Sequence, residues 1–277
     1  MRLVVSSAGG VNGNGYDALL AFDLGGRPLG VFSNDPRIRD PRGLSVEPAE
    51  RLLFVNSGLD RVLALDFAGR IVRDTGPIVG LNPGGGLLGP DGRYYVGSRS
   101  SRTILAFSKD LMTPGTSILP PGVVPFPRGF TFSADGRVIL ASGIGPHGEG
   151  DNSIAIFKWK GAFVRSPLID DPELSPLDVL RSVDETILVA SEHPFGAPDA
   201  VTTIREYDMC RGSLIRVFSP DKDISFRKPR GMRFGPDGTL YCVTEETVVS
   251  FDLHSGKCLG TVLHHPRLNG QALEFVP

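Results

Sequence analysis

The sequence predicts an all-β protein made of six copies of one four-stranded unit. Two observations carry that expectation. The first is self-similarity along the whole 277-residue chain at the roughly 40–50-residue period of stacked sheet repeats. The second is composition: 35 Gly and 23 Pro without a collagen period mean many turns and therefore short strands.

Four segments align directly: PRGLSVEPAERLLFVNS (41–57), PGGGLLGPDGRYYVGS (83–98), PRGFTFSADGRVILAS (127–142) and PRGMRFGPDGTLYCVT (229–244). A fifth, SPLDVLRSVDETILVAS (175–191), is degenerate. The sixth is split: GQALEFVP (270–277) matches the first half of the unit and MRLVVSS (1–7) the second. The position after the Arg of Pro-Arg-Gly anchors each unit, at Gly43, Gly85, Gly129, Asp178, Gly231 and Ala272. Six units account for residues 1–277, leaving no residue for a linker or second domain.

Each unit reads as the same four elements. An alternating strand such as Leu44/Val46 or Phe130/Phe132 leads into an Asp-Gly turn (91–92, 135–136, 237–238), a strong hairpin signal. A second strand follows, as in 52–55 or 137–142. A variable loop then leads to a third strand: 19–22, 61–67, 103–107, 153–157, 202–207 or 247–251. A Gly-containing turn precedes the fourth strand, as in LIRVF (214–218) or LGTVL (259–263). Four antiparallel strands at this period are propeller blades. Parallel β-helices use shorter coils, and helical repeats need a 3.6-residue period over longer windows. The expected fold is a six-bladed β-propeller. One blade is completed by both termini, which pairs strand edges that would otherwise be exposed at the seam.

The segment RGLSVEPAERLLFVNSGLDRVLALDFAGRIV (42–72) resembles an NHL repeat, and the other units resemble weaker versions of it. The resemblance covers all six units and extends to a wider six-bladed group. That group contains regucalcin/gluconolactonase-like enzymes, streptogramin-lyase-like proteins and peptidyl-amidoglycolate lyases. It implies the fold and leaves function open, because the scaffold hosts binding proteins and enzymes alike.

Charge and cysteine content bound the function. Lys plus Arg is 29 against 31 for Asp plus Glu, a net charge of −2, which disfavours a nucleic-acid binder. Arg37, Arg39, Arg99, Arg102 and Arg227 could form a basic rim, but interspersed acids break any continuous stripe. No apolar run reaches the roughly 18–20 residues of a membrane helix. The odd cysteine count (Cys210, Cys242, Cys258) and the lack of Cys-x-x-Cys spacing point to free thiols. MRLVVSS lacks the apolar core of a secretory signal, so a cytoplasmic location is expected.

The strand two–three loops are long at 7–17, 142–152 and 191–201, whereas the other face carries mostly tight turns. The loop-rich face, here the top, is where function is expected. Arg42, Arg128 and Arg230 share one repeat position just before the inner strand, and Gln271 takes it in blade one. Guanidiniums converging there could grip a carboxylate or phosphate; equally, they could bond neighbouring backbone or carboxylates. A second set on the same face is Glu192, His193 and Glu245, with His147 or His264 from flanking blades. Those residue types could hold a divalent ion and leave an unligated His193 or His147 as general base.

Two functions are therefore expected as alternatives. One is an NHL-type propeller binding a protein, peptide or small anionic ligand on its top face. The other is a metal-dependent hydrolase or lyase with its site at the top of the channel. No Gly-x-Ser-x-Gly, His-Glu-x-x-His or phosphate-loop motif is present. The lactonase-like resemblance implies an Asn-Gly before an inner strand. The matching Arg-Gly pairs (42–43, 128–129, 230–231) supply no oxygen ligand.

Overall fold

Alternating side chains on a fully buried strand need apolar neighbours on both faces, and the fold supplies them. The computed structural model describes residues 1–9, 15–113, 115–124, 126–143, 152–158, 163–169 and 171–277. It contains six four-stranded antiparallel sheets. Blade one is β24 (Gly270–Val276), β1 (Arg2–Ser7), β2 (Ala18–Phe22) and β3 (Pro28–Ser33). The other blades run in chain order, with inner strands β4 (Leu44–Glu47), β8 (Pro83–Leu88), β12 (Pro127–Phe132), β16 (Pro176–Arg181) and β20 (Gly231–Phe234). Each inner strand packs on the next, and β24 closes the circle between β20 and β4. This is the six-bladed propeller the repeats predict.

The closure is the one expected. β1 pairs with β24 from Arg2↔Val276 to Ser7↔Gly270. The predicted third and fourth strands are found within a residue or two of their expected ends, for example Thr103–Phe107, Thr247–Phe251 and Leu214–Phe218.

Hydrophobic clusters fill the gaps between adjacent blades. In the second strand of blade four, Val138 and Leu140 pack toward blade three. Ile139 and Ala141 pack toward blade five. Both faces are covered, so the strand reads as a continuous apolar run.

The Asp-Gly turns are three-residue loops rather than two-residue ones. Gly92 donates to Gly89 O at 3.0 Å, Gly89 donates to Arg93 O at 2.8 Å, and Gly92 has φ +77°. A type I turn followed by a left-handed residue needs Gly at that third position. Gly136 and Gly238 repeat the arrangement at φ +80° and +79°.

The three cysteines form no disulfide; Cys210 is exposed, and Cys242 and Cys258 are buried. Among the described residues no helix is long and apolar enough to cross a membrane.

Candidate functional site

The register of the inner strands explains why one repeat position faces the channel mouth. In blades one, three, four and five the ladder shifts just where that position lies, for example between Pro127 and Phe130 and between Pro176 and Asp178. A bulge takes its residue out of the pairing and re-aims the side chain. Arg128 and Gln271 are placed in this way. Arg42 stands two residues before β4 and Arg230 immediately before β20, their amides bonded to Asn56 O (3.0 Å) and Val243 O (2.9 Å).

These residues line one cavity of about 310 Å³ at the loop-rich end of the channel. Arg42, Arg128, Arg230 and Gln271 all contribute to its wall, so the structure brings the predicted arginine set together. Two of the arginines also tie neighbouring blades. Arg42 Nη1 donates to Asn82 Oδ1 (3.1 Å) and Pro83 O (2.9 Å) in blade three. Arg230 Nη1 donates to Asn269 Oδ1 (3.0 Å) and Gly270 O (3.4 Å) in blade one. Asn82 and Asn269 sit at φ +38° and +39°, a conformation Asn tolerates better than most residues. Arg42 and Arg230 thus bond neighbouring backbone, and all three arginines border the cavity.

Sequence reasoning placed Arg99 on a rim, whereas it lines the cavity. Arg99 follows the second strand of blade three, the blade whose repeat position is Gly84. Gly84 packs close to it: a Cβ built there would lie 3.4 Å from Arg99 Nε. Among the described residues, Arg99 Nε is buried without a hydrogen-bond partner and no ion pair reaches this guanidinium. Burial, then the charges of Arg42 and Arg128, push its pKa well below the ordinary arginine value. Burial likewise lowers Arg230, against the opposing pull of Glu245 and Glu192. Arg42 forms an ion pair with Asp40.

An aromatic wall completes the mouth. The Arg99 guanidinium lies 5.1 Å from the Phe126 ring centroid, and that of Arg128 lies 4.9 Å from Phe126 and 4.8 Å from Phe195. Such contacts hold a planar cation without consuming its in-plane donors. Phe195 comes from the blade-five loop, and nothing in its local sequence marks it for this position.

Deeper in the channel stand Arg233 and Asp178. Arg233 donates to Glu274 Oε2 (3.1 Å), Met232 O (2.7 Å) and Leu44 O (2.8 Å). Burial opposes its charge, but Glu274 and Asp178 outweigh that and raise its pKa. Asp178 is buried and pushed up to about 6 by desolvation, with Arg233 and backbone amides opposing. A sequence signal for Asp178 existed, since it is the one acid among anchor residues that are otherwise Gly or Ala.

The described members of the second set do not assemble into a group that could hold a metal ion. Glu245 pairs with Lys228 at 2.6 Å rather than with Arg128 or Arg230. His193 Nδ1 lies 3.1 Å from Ser175 Oγ. Glu192 is buried with Oε2 unpartnered, and His264 faces Glu246 at 3.9 Å on the rim. His147, with Glu149 and Asp151, lies outside the described residues. Among the described residues no group of three His, Cys, Asp or Glu side chains could hold a metal ion. The cavity itself does not fit the divalent ion that the enzyme resemblance implies. Five arginines stand on its wall, Asp40 is taken by Arg42, and one oxygen of Asp178 is taken by a backbone amide. Of the other rim arginines, Arg37 is paired with Asp35 (2.9 Å) and Asp74 (3.3 Å), and Arg39 with Asp17 (3.0 Å).

No protein-family profile matches the chain, and no curated protein matches it by sequence. Solved structures do match. A chain from a nidogen–laminin complex superposes with a TM-score of 0.75 at 13% identity, covering 98% of this chain and 97% of that one. The chain shares that fold. A gluconolactonase of Xanthomonas campestris matches with a TM-score of 0.63 at 16% identity, over 82% of this chain and 76% of the other. A streptogramin B lyase matches with a TM-score of 0.58 at 16% identity, over 77% and 66%. These neighbours include a component of a protein complex and two enzymes, and at such identities what is common to them and this chain is the propeller architecture.

Proposed function

We propose that this protein is a binding propeller that takes a small oxyanion-bearing molecule at the top of its channel. The observation that carries the reading is Arg99, a half-buried guanidinium without a hydrogen bond or ion pair, set beside Arg42, Arg128 and Arg230. Like charges gathered in a desolvated space oppose one another, and a bound anion removes that opposition while satisfying the free donors. A recess of about 310 Å³ suits a small molecule better than a protein surface. The same reading treats residues 1–277 as one domain of NHL type, with three cysteines that form no disulfide and suit a reducing, cytoplasmic setting.

Calorimetric titration with inorganic phosphate tests it. Wild-type protein binds saturably, and Arg99→Gln binds at least about 10-fold more weakly, as expected for loss of a charged hydrogen-bond donor. The melting temperature of Arg99→Gln stays equal or rises, because a buried like charge is removed. Equal phosphate binding by both proteins overturns the reading.

A further inference from the structure

The polar side chains that reach this cavity are mostly donors, and Asp178 is the exception on its floor. Asp40, the other carboxylate on the wall, is held by Arg42. Asp178 Oδ2 accepts the Met232 amide at 2.9 Å, and among the described residues no side chain bonds or ion-pairs with the carboxylate. Only 9% of the residue is exposed, and it lines the cavity. The adjacent blade is trimmed to admit it: a Cβ on Gly129 would fall 1.9 Å from Asp178 Oδ1. In the other five blades the equivalent residue is Gly or Ala, so the repeat itself does not require an acid there.

We infer that Asp178 is a specificity-determining residue: it accepts a hydrogen bond from an O–H carried by the bound oxyanion itself. The inference rests on the anion-binding reading and narrows its ligand class. Arginine donors alone would accept any small oxyanion of suitable size. A carboxylate among them repels an anion that has only acceptors and bonds one that brings a proton donor. Hydrogen phosphate is the simplest member of the favoured class, and a 2-hydroxycarboxylate presents the same combination. Sulfate, which carries no proton at neutral pH, is rejected. A site that leaves a buried polar group unpaired with the wrong ligand discriminates far more sharply than an apolar pocket does.

The test is calorimetric titration at pH 8 with phosphate and, separately, with sulfate, on wild type, Asp178→Asn and Gly129→Ala. The expected result is phosphate bound at least about 10-fold more tightly than sulfate by wild type. In Asp178→Asn that ratio collapses toward one, because the amide can donate to a sulfate oxygen. Gly129→Ala, which displaces the carboxylate without removing it, also lowers the ratio. If wild type binds both anions equally, the inference about Asp178 is overturned while the anion site stands. A wild-type preference that survives unchanged in both variants overturns it too. If wild type binds neither anion, the anion-binding reading fails and takes this inference with it. Should Asp178→Asn fail to fold, the wild-type ratio and Gly129→Ala still decide.

Discussion

Arg233 Nε lies 3.1 Å from Glu274 Oε2, joining the inner strand of blade six to the inner strand of blade one. The same guanidinium donates to Leu44 O in blade two, so one side chain spans three consecutive blades across the seam where the termini meet. Both partners are mostly buried, with side-chain exposures of 19% and 14%. Removing one partner of such a pair leaves the other charge desolvated and uncompensated.

Glu274→Gln is therefore expected to destabilise the protein by about 2–4 kcal/mol in denaturant unfolding. The double variant Arg233→Met, Glu274→Leu is expected to recover most of that loss, since apolar replacement of a buried pair is often neutral. A double variant as unstable as the single one would show that the backbone bond to Leu44, not the ion pair, holds the seam.

Asp178 gives stability a defined pH dependence. Its folded value of about 6 lies above the ordinary carboxylate value, chiefly through burial. Between about pH 4 and 6 the folded chain holds a proton that the unfolded chain has released. Stability from this group is thus full below the unfolded value and is lost as pH rises through the folded one. Asp178→Asn keeps an acceptor for the Met232 amide and removes this dependence. The variant is expected to gain on the order of 3 kcal/mol relative to wild type at pH 7–8, with the gain vanishing near pH 4. Parallel stability–pH curves for the two proteins would show that the carboxyl titrates normally.

Deleting residues 270–277 removes the inner strand of blade one and the pairing partner of residues 2–7. It also takes away Glu274 and one wall of two interblade cores, including Leu273, Phe275 and Val276. The expected cost is on the order of 5 kcal/mol or more, comparable to the whole stability of an ordinary domain. An unchanged melting temperature in the truncated chain would overturn the closure as a source of stability.

The repeated unit made the fold readable before any coordinates. Pro-Arg-Gly, the alternating inner strand and the Asp-Gly turn recur because each blade must solve the same packing problem. The shared position of Arg42, Arg128 and Arg230 likewise announced a convergent set, since equivalent residues of a ring meet near its axis. Arg99 escaped because it occupies a different repeat position, after the second strand, where blades two and four have Gly58 and Gly143 and blades five and six have Glu192 and Glu245. Glu192, His193 and Glu245 looked like ligands because they share a face, yet sharing a face does not fix side-chain direction. Lys228 takes Glu245, and Ser175 takes His193.

The sequence alone determined the number of blades, their strands and the use of both termini in one blade, because periodicity and turn chemistry are local and each repeat confirms the last. Only the tertiary structure decided which charges meet in the channel. Gly84 and Arg99 are 15 residues apart, and Asp178 and Gly129 are 49 apart in different blades. Their contacts depend on how the ring closes and, for Asp178, on the room that the missing Cβ of Gly129 leaves, and no local pattern in the chain encodes that distance.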